Sequence, residues 1–285
     1  MNNKRAGTSE AAIQHHYDIG NDFFRGWLDR TMTYSCPMWQ FYDLDCDLDK
    51  AQVRKLDFHI ENTHVHENRK MKVLDVGCGW GSLLQRMVDK YRVSSAVGLT
   101  LSLEQASYIR SLSIPGIDVL VQSWHDHKPI EPYDAIISIE AFEHFGRIDQ
   151  SYEERTETYR VFFKKCREMI AHKGMLSMQS TCYETLDRLH PFISEKIWPE
   201  SELPRLEQII EASSKFFEVV SVINDREQYA RTCEVWSKQL KKHYVKESSA
   251  SDLVIAGDYY RYLKMSSAAF QQGALSLYRV VFRAL

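Results

Sequence analysis

The chain has 285 residues, 44% of them hydrophobic, so it can bury a sizeable core as one domain with insertions or as two. Its formal net charge of −3 gives no general electrostatic argument for nucleic-acid binding, and no basic run is long enough to clamp a membrane surface. The six cysteines are widely spaced and the N-terminus is polar, which predicts a reduced, cytoplasmic protein without a secretory signal.

Residues 1–70 are predicted to be helical with polar joints. The clearest helix is 51–60, where apolar residues recur at helical spacing and charged residues, Lys55 among them, lie between them. From residue 72 short strands alternate with helices: strands are predicted at 72–76, 95–99, 118–122, 133–139 and 175–180, and helices at 82–91, 103–112 and 158–170. This alternation predicts an α/β fold with a mostly parallel, doubly wound, Rossmann-like sheet.

The alternation breaks after residue 180. The stretch 182–204 carries three prolines and is predicted to be an insertion that caps the core. Strands are predicted at 216–223 and 276–283, with helices of a cap between them at 230–272. The predicted organisation is a helical N-terminal cap, a Rossmann-like ligand-binding core, a substrate-cap insertion and a C-terminal part that completes the single domain, at 1–70, 71–180, 181–215 and 216–285.

A glycine cluster, D-V-G-C-G-W-G at 75–81, leads from the first predicted strand into a helix. Glycines let the backbone approach a ligand closely, and free amides at a helix start favour an anionic group. A dinucleotide site needs G-x-G-x-x-G and an acidic residue about 20 positions later, whereas this loop is G-x-G-x-G and the second strand ends in Leu99 and Thr100. Asp75 suits a ligand with an ammonium group as well as a carboxylate, such as S-adenosylmethionine. A nicotinamide cofactor is the minority alternative.

Two side chains further along fit the same ligand. Gln105 follows the second strand and can reach ribose hydroxyls, although a solvated helix position is the alternative. Trp124 follows the third strand, where an adenine ring would lie, and its indole offers a stacking face. The alternative for Trp124 is an ordinary core or surface tryptophan.

Five separated blocks occur in a fixed order along the chain: HYDIGNDFF at 16–24, TMTYSC at 31–36, LDVGCGWG at 74–81, GLTLS at 98–102 and SIEAFEHFG at 138–146. Weaker matches continue at 197–199, 228–230 and Trp236, so that nearly the whole chain is covered. Together the blocks resemble the cyclopropane fatty-acid synthase and mycolic-acid methyltransferase family. The resemblance implies the class I methyltransferase form of the Rossmann-like fold. It also implies a set of residues that line the S-adenosylmethionine site: Tyr34, Ser35, Gly77, Gly79, Thr100, Leu101, Gln105 and Trp124.

The same resemblance implies a bicarbonate ion beside the reacting carbon, held at positions that match Cys36, Ile139, Glu143 and Tyr229. In the family a histidine at the end of the fifth strand also serves this ion, but Gln179 occurs at that place here. Glutamine can donate a hydrogen bond but cannot carry a proton charge, which argues against bicarbonate use and against assuming cyclopropane chemistry. The segment 182–203 is also shorter than in mycolic-acid enzymes, where it helps enclose a long lipid chain.

A sulfonium methyl group is already electrophilic, so the protein must align the acceptor and exclude water. Methyl transfer to an alkene leaves a carbocation, which aromatic faces can stabilise. The resemblance suggests Tyr17, Tyr34, Phe145, Trp198 and Phe270 for this role. Glu143, just after the fourth strand, is the predicted base or positions an ion, with Tyr229 assisting. Loss of a proton from the new methyl group closes a cyclopropane, and loss from an adjacent carbon leaves a methylated alkene.

Several alternatives stay open from the sequence. The acceptor is an unsaturated acyl chain or a smaller natural-product intermediate, and a nitrogen acceptor is a further alternative. An NAD-dependent oxidoreductase and a catalytically silent binding scaffold are more distant ones. No metal site is predicted, because the paired histidines at 64 and 66 and at 125 and 127 lack a third ligand. No apolar stretch reaches the roughly 20 residues of a membrane span, while peripheral membrane contact and the oligomeric state stay undecided.

Overall fold

The computed structural model describes residues 9, 14, 19–65, 70–247 and 250–285. Among these residues one sheet contains seven strands: β1 (Lys72–Val76), β2 (Ser95–Thr100), β3 (Ile117–Val121), β4 (Tyr133–Ile139), β5 (Ile170–Tyr183), β6 (Phe217–Asn224) and β7 (Leu275–Ala284). The strand order is β3-β2-β1-β4-β5-β7-β6. Strands β1 to β5 pair in parallel, and β7 pairs antiparallel with both β5 and β6. The predicted Rossmann-like, mostly parallel doubly wound sheet is confirmed.

Helices surround the sheet: α1 (Asn21–Arg25), α2 (Leu48–Glu61), α3 (Ser82–Asp89), α4 (Leu103–Ser111), α5 (Tyr152–Met169), α6 (Pro191–Lys196), α7 (Leu206–Ser213), α8 (Arg226–Glu247) and α9 (Ala250–Gln271). Short 3₁₀ turns occur at Asp45–Asp47 and Phe142–His144. Within the described parts of the chain, no helix is both long enough and apolar enough to span a membrane.

The predicted boundaries hold best in the core, where β1 and β4 coincide with the predicted strands. The helix predicted at 158–170 is wrong at its start, because α5 begins six residues earlier at Tyr152. Ser151 caps this helix in a reciprocal box with Glu154, which satisfies backbone N–H groups at the helix start. The strand predicted at 175–180 is longer in both directions, and pairing with β7 accounts for its extension to Tyr183.

Apolar residues form three clusters, two of which lie against the sheet. The third joins the N-terminal segment, the 183–203 region and the C-terminal helices into one cap. In it the rings of Trp27 and Trp236 lie edge to face with centroids 5.7 Å apart. The segment predicted as an insertion contributes the buried side chains Ile193, Ile197 and Leu203 to this cluster. The cap therefore closes over the carboxyl ends of the parallel strands, where open α/β sheets bind ligands.

Candidate functional site

A cavity of about 600 Å³ opens at the carboxyl ends of β1, β2, β3 and β4. This volume lies in the range of small-molecule and cofactor pockets. All nine residues expected at the S-adenosylmethionine site line it: Tyr34, Ser35, Asp75, Gly77, Gly79, Thr100, Leu101, Gln105 and Trp124. We call it the donor cavity.

The glycine loop forms one wall of the donor cavity. Gly77, Gly79 and Gly81 all have positive φ angles, of 83°, 54° and 81°, in a region that other residues rarely adopt. A Cβ atom at Gly77 would collide with the side chain of Ala141, whereas one at Gly79 would meet nothing within 4 Å. Gly81 precedes α3 and supplies no side-chain cap to the N–H groups at the helix start. The loop thus combines close backbone approach with uncapped donors, as a carboxylate-bearing ligand requires.

The ends of β2 and β3 supply the polar and aromatic parts of the wall. The Thr100 hydroxyl donates to the Oε1 atom of Gln105 at 2.7 Å, which leaves the amide N–H groups of Gln105 to serve a ligand. Ser102 caps α4 by accepting from the Gln105 backbone N–H at 3.2 Å. Gln105 is thus held both at its backbone and at the end of its side chain. Trp124 lines the cavity and packs on Phe145, with ring centroids 5.1 Å apart. It is therefore both a core residue and a ring available to a ligand.

Buried charges lie at the inner end of the donor cavity. Burial raises the pKa of Asp75 to about 7, and the nearby Lys55 ammonium partly opposes this shift. Lys55 was predicted on the polar face of its helix, and this is wrong, since it is only 1% exposed and lines the cavity. Its Nζ donates to the Ser35 hydroxyl at 2.8 Å, and burial lowers its pKa to about 8. Helical spacing alone does not reveal a charged side chain that is buried by contacts with a distant loop, here the one that contains Ser35.

A second, smaller pocket of about 180 Å³ lies between the cap and the sheet edge. Tyr34, Glu140 and His144 line both this pocket and the donor cavity, so the two adjoin. The rest of its lining is mostly apolar. It includes four residues that were predicted at the substrate or catalytic centre: Glu143, Trp198, Tyr229 and Phe270. We call it the acceptor pocket.

Glu143 lies on the 3₁₀ turn after β4 and lines the acceptor pocket. Its Oε1 atom accepts from the backbone N–H of Thr181, while its buried Oε2 atom has no hydrogen-bond partner among the described residues. Burial raises the pKa of this carboxyl group, and the nearby Glu140 charge raises it further. A structural pair with His144 is not formed, because the Nδ1 atom of His144 bonds the Ser201 hydroxyl at 2.8 Å. At a pH above its raised pKa of about 8, the Glu143 carboxylate can accept a proton from a bound molecule.

Glu140 is one of the three residues that line both cavities. One carboxylate oxygen accepts from the Cys36 backbone N–H at 2.8 Å and from the Gln179 amide at 2.6 Å. The other accepts from the Tyr229 hydroxyl at 2.5 Å. Tyr229 in turn stacks on Phe270 with ring centroids 4.6 Å apart. The three residues Cys36, Gln179 and Tyr229 are thus brought together, but around a side chain that had no assigned role in the sequence.

A further set of buried groups orients Gln179. The Arg279 Nε atom donates to the Gln179 Oε1 atom at 3.1 Å, and His59 Nε2 lies 3.2 Å from the same oxygen. Arg279 is fully buried, and it also bonds Asp225 at 2.9 Å and the carbonyl of Pro37 at 2.9 Å. Because a guanidinium can only donate, the Gln179 amide nitrogen must face the opposite side, toward Glu140.

Four of the predicted residues lie apart from the acceptor pocket. Ile139 and Phe145 line the donor cavity instead. Cys36 and Gln179 line neither cavity directly, although both bond Glu140. Burial raises the pKa of the Cys36 thiol to about 12, so it stays protonated and is no nucleophile. Tyr17 lies outside the described residues.

With this geometry the family can be decided. The family model described as mycolic acid cyclopropane synthetase matches residues 4–280. The chain belongs to the mycolic acid cyclopropane synthetase family. Cyclopropane mycolic acid synthase 1 of Mycobacterium tuberculosis (strain CDC 1551 / Oshkosh) is 32% identical over 292 residues, which cover 94% of each protein.

Solved structures of this synthetase family share the fold. The cyclopropane synthase MmaA2 from Mycobacterium tuberculosis has a TM-score of 0.86 and 28% identity, covering 97% of this chain and 99% of its own. The mycolic acid cyclopropane synthase CmaA1 complexed with SAH and CTAB has a TM-score of 0.83 and 29% identity, with the same coverage. The chain is therefore an S-adenosylmethionine-dependent methyltransferase of the cyclopropane synthase type. The nicotinamide-dependent and catalytically silent alternatives are thereby set aside.

Four residues of this site were given no role from the sequence: Lys55, His59 and Arg279, which are buried, and Glu140, which lines both cavities. Glu140 lies within the block at 138–146, but nothing in the sequence distinguishes its role from that of its neighbours. Arg279 lies opposite Gln179 in the β5–β7 register, which strand alternation does not specify. No group of three or more His, Cys, Asp or Glu side chains suited to a metal occurs in the described part of the chain.

In this methyltransferase we expect donor binding to weaken in mild acid. With a pKa of about 7 in the free protein, Asp75 loses its charge as the pH falls, and with it the attraction for the ammonium group of the ligand. The affinity for S-adenosylhomocysteine should therefore fall by up to about tenfold between roughly pH 8 and pH 6. Isothermal titration calorimetry at both pH values measures this change.

The matched control is Asp75→Asn, which keeps the shape of the side chain but cannot ionise. It should bind more weakly at the higher pH and lose most of the pH dependence. Lys55 also titrates in this range, so an undiminished pH dependence in Asp75→Asn would assign the effect to Lys55 and contradict the role of Asp75.

Proposed function

We propose that this methyltransferase transfers a methyl or methylene group to a carbon–carbon double bond, or a similar electron-rich carbon, of an apolar acyl or natural-product substrate. S-adenosylmethionine bound in the donor cavity would supply the electrophilic methyl group. The observation that carries the proposal is the acceptor pocket, a mostly apolar space adjoining the donor cavity. Glu143 lines it, and the Oε2 atom of Glu143 has no hydrogen-bond partner among the described residues. Such a pocket can align an uncharged acceptor, exclude water and accept a proton.

The aromatic lining supports a cationic intermediate. Tyr34 and Trp198 stack with ring centroids 6.1 Å apart, and both line the acceptor pocket. The stacked pair of Tyr229 and Phe270 lines it as well. Ring faces attract positive charge without forming a bond to it, so a carbocation left after methyl transfer would be stabilised and not trapped.

Glu143 is the proposed proton acceptor. The carbon–hydrogen bond of the cation breaks, its proton goes to the Glu143 carboxylate, and its electron pair forms either the third bond of a ring or a new double bond. A carboxyl group whose pKa is raised by burial is a stronger base than one in water. Tyr229 assists through its hydrogen bond to the neighbouring Glu140.

The volume of the acceptor pocket favours a compact acceptor. At about 180 Å³ it is smaller than the roughly 300–1,000 Å³ of pockets that enclose a drug-sized ligand. A natural-product intermediate, or the part of an acyl chain around its double bond, suits this space better than a complete long chain. The long-chain detergent CTAB in the complex of the CmaA1 relative supports an apolar acceptor in general terms.

Methylation of an apolar amine is a second candidate. Two acidic side chains, Glu140 and Glu143, line the acceptor pocket, and an ammonium group would be attracted to them. Glu143 would then take the proton that an amine must lose before it can act as a nucleophile.

A product assay tests both candidates. The protein is incubated with S-adenosylmethionine carrying an isotopically labelled methyl group and, separately, with vesicles of cis-monounsaturated phospholipid, a compact apolar alkene and an apolar secondary amine. Nuclear magnetic resonance then identifies whether the label is in a ring methylene, a branching methyl group or an N-methyl group. Label on carbon supports the first candidate. Label on nitrogen alone contradicts it and supports the second.

A further inference from the structure

The positions that the family resemblance assigns to a bicarbonate ion are already filled by a side chain. The Cys36 backbone N–H and the Gln179 amide donate to one oxygen of Glu140, at 2.8 and 2.6 Å. The Tyr229 hydroxyl donates to the other at 2.5 Å. A carboxylate and a bicarbonate ion present the same planar pair of oxygens to these donors. The donors are therefore taken, and the residues present do not fit an additional bicarbonate ion.

The backbone at Glu140 is held in an unusual conformation that delivers this carboxylate. Glu140 has a φ of 51°, in the left-handed region that costs a residue other than glycine about 1 kcal/mol or more. Its backbone N–H donates to the Gln179 carbonyl at 2.8 Å, which continues the β4–β5 pairing past the end of β4. Such strain persists only where surrounding contacts impose it, and here those contacts are the three donors to the carboxylate.

Gln179, which occurs where the family has a histidine, is part of the same hydrogen-bond network as Glu140. Arg279 and His59 both contact the side-chain oxygen of Gln179. The side-chain N–H groups of Gln179 therefore face Glu140 and the backbone carbonyl of Cys36, at 2.6 and 3.1 Å. Arg279 is itself paired with Asp225. A neutral amide with a fixed orientation is a suitable donor to a carboxylate, since no proton has to move between the two.

We propose that the Glu140 carboxylate is the resident anion of the acceptor site, that it takes the place of bicarbonate, and that this methyltransferase turns over without bicarbonate. This inference rests on the proposed function. With all three donors engaged, Glu140 stays in place as a counter-charge to the cation formed on the acceptor. Glu143, which keeps one oxygen unpaired, takes the proton. The two carboxylates thus have separate tasks.

The test is to remove the carboxylate and offer the ion. Glu140→Gly deletes the side chain, suits the positive φ, and leaves the Cys36, Gln179 and Tyr229 donors around an anion-sized space. The matched control, Glu140→Gln, fills the same space without charge. Sodium bicarbonate is titrated calorimetrically into each protein loaded with S-adenosylhomocysteine, with sodium chloride at equal ionic strength as the reference. Only Glu140→Gly should bind bicarbonate.

Turnover gives the second readout, with the acceptor identified by the product assay. Wild-type turnover should change less than about twofold between carbonate-free and bicarbonate-containing buffer. Glu140→Gly should lose about 10²–10³-fold and regain at least about tenfold with bicarbonate, whereas Glu140→Gln should lose activity without recovery. Bicarbonate dependence of the wild-type enzyme would overturn the inference. So would a folded, donor-binding Glu140→Gly protein that binds no bicarbonate. Absence of methyl transfer by the wild type would instead count against the proposed function.

Discussion

Replacing Glu143 with glutamine is expected to lower turnover by about 10²–10⁴-fold while changing S-adenosylhomocysteine affinity by less than about twofold. Glutamine can still accept the Thr181 N–H through its carbonyl oxygen, so the side chain keeps its place. What it loses is the basicity of a carboxylate that lines the acceptor pocket. Glu143 does not line the donor cavity, which is why donor binding should survive.

Single-turnover kinetics and calorimetry measure the two quantities separately. Glu153→Gln is the matched control, because Glu153 is exposed on the first turn of α5 and lines neither cavity. It should leave both turnover and donor affinity near the wild-type values. Normal turnover in Glu143→Gln would remove Glu143 from the mechanism, and a parallel loss of donor binding would indicate a structural role instead.

Replacing Arg279 with leucine should destabilise the fold by about 3–5 kcal/mol, the cost of removing one partner from a largely buried ion pair. Arg279 is fully buried and bonds Asp225, Gln179 and the carbonyl of Pro37. Leucine satisfies none of these groups, and the Gln179 amide would lose the contact that fixes its orientation. Urea unfolding monitored by circular dichroism measures the free energy of unfolding.

The control for this prediction lies four residues further along the same strand. Arg283 pairs with Glu218 at 3.2 Å, and both side chains are about half exposed to solvent. Arg283→Leu should therefore change the free energy of unfolding by less than about 1 kcal/mol. If Arg279→Leu proved as mild as Arg283→Leu, the buried network would not hold the acceptor site together.

The donor half of the site was accessible from the sequence because its chemistry is local. The glycine loop follows β1 directly, and residues such as Thr100 and Trp124 come just after the next parallel strands, whose carboxyl ends share one edge. Motif and strand order together therefore place these side chains on one cavity.

The acceptor half depends on contacts between distant parts of the chain. Glu140 bonds Cys36, 104 residues away, and Tyr229, 89 residues away. Arg279 reaches Gln179 only because β7 runs antiparallel to β5 in one particular register. A local pattern carries no register, so Glu140 could be read as one more residue after β4 although it lies at the centre of the acceptor site. One local signal, the Ser151–Glu154 capping box, was available and would have corrected the start of α5.

The two cavities also differ in which stretches of chain they require. The donor cavity is lined by residues between Ser9 and Phe145, whereas the acceptor pocket needs residues as far along as Leu275. During synthesis, every residue that lines the donor cavity is therefore made before the last walls of the acceptor pocket. The acceptor pocket can therefore close only after the segment around Leu275 has been made, whereas the donor cavity needs no residue beyond Phe145.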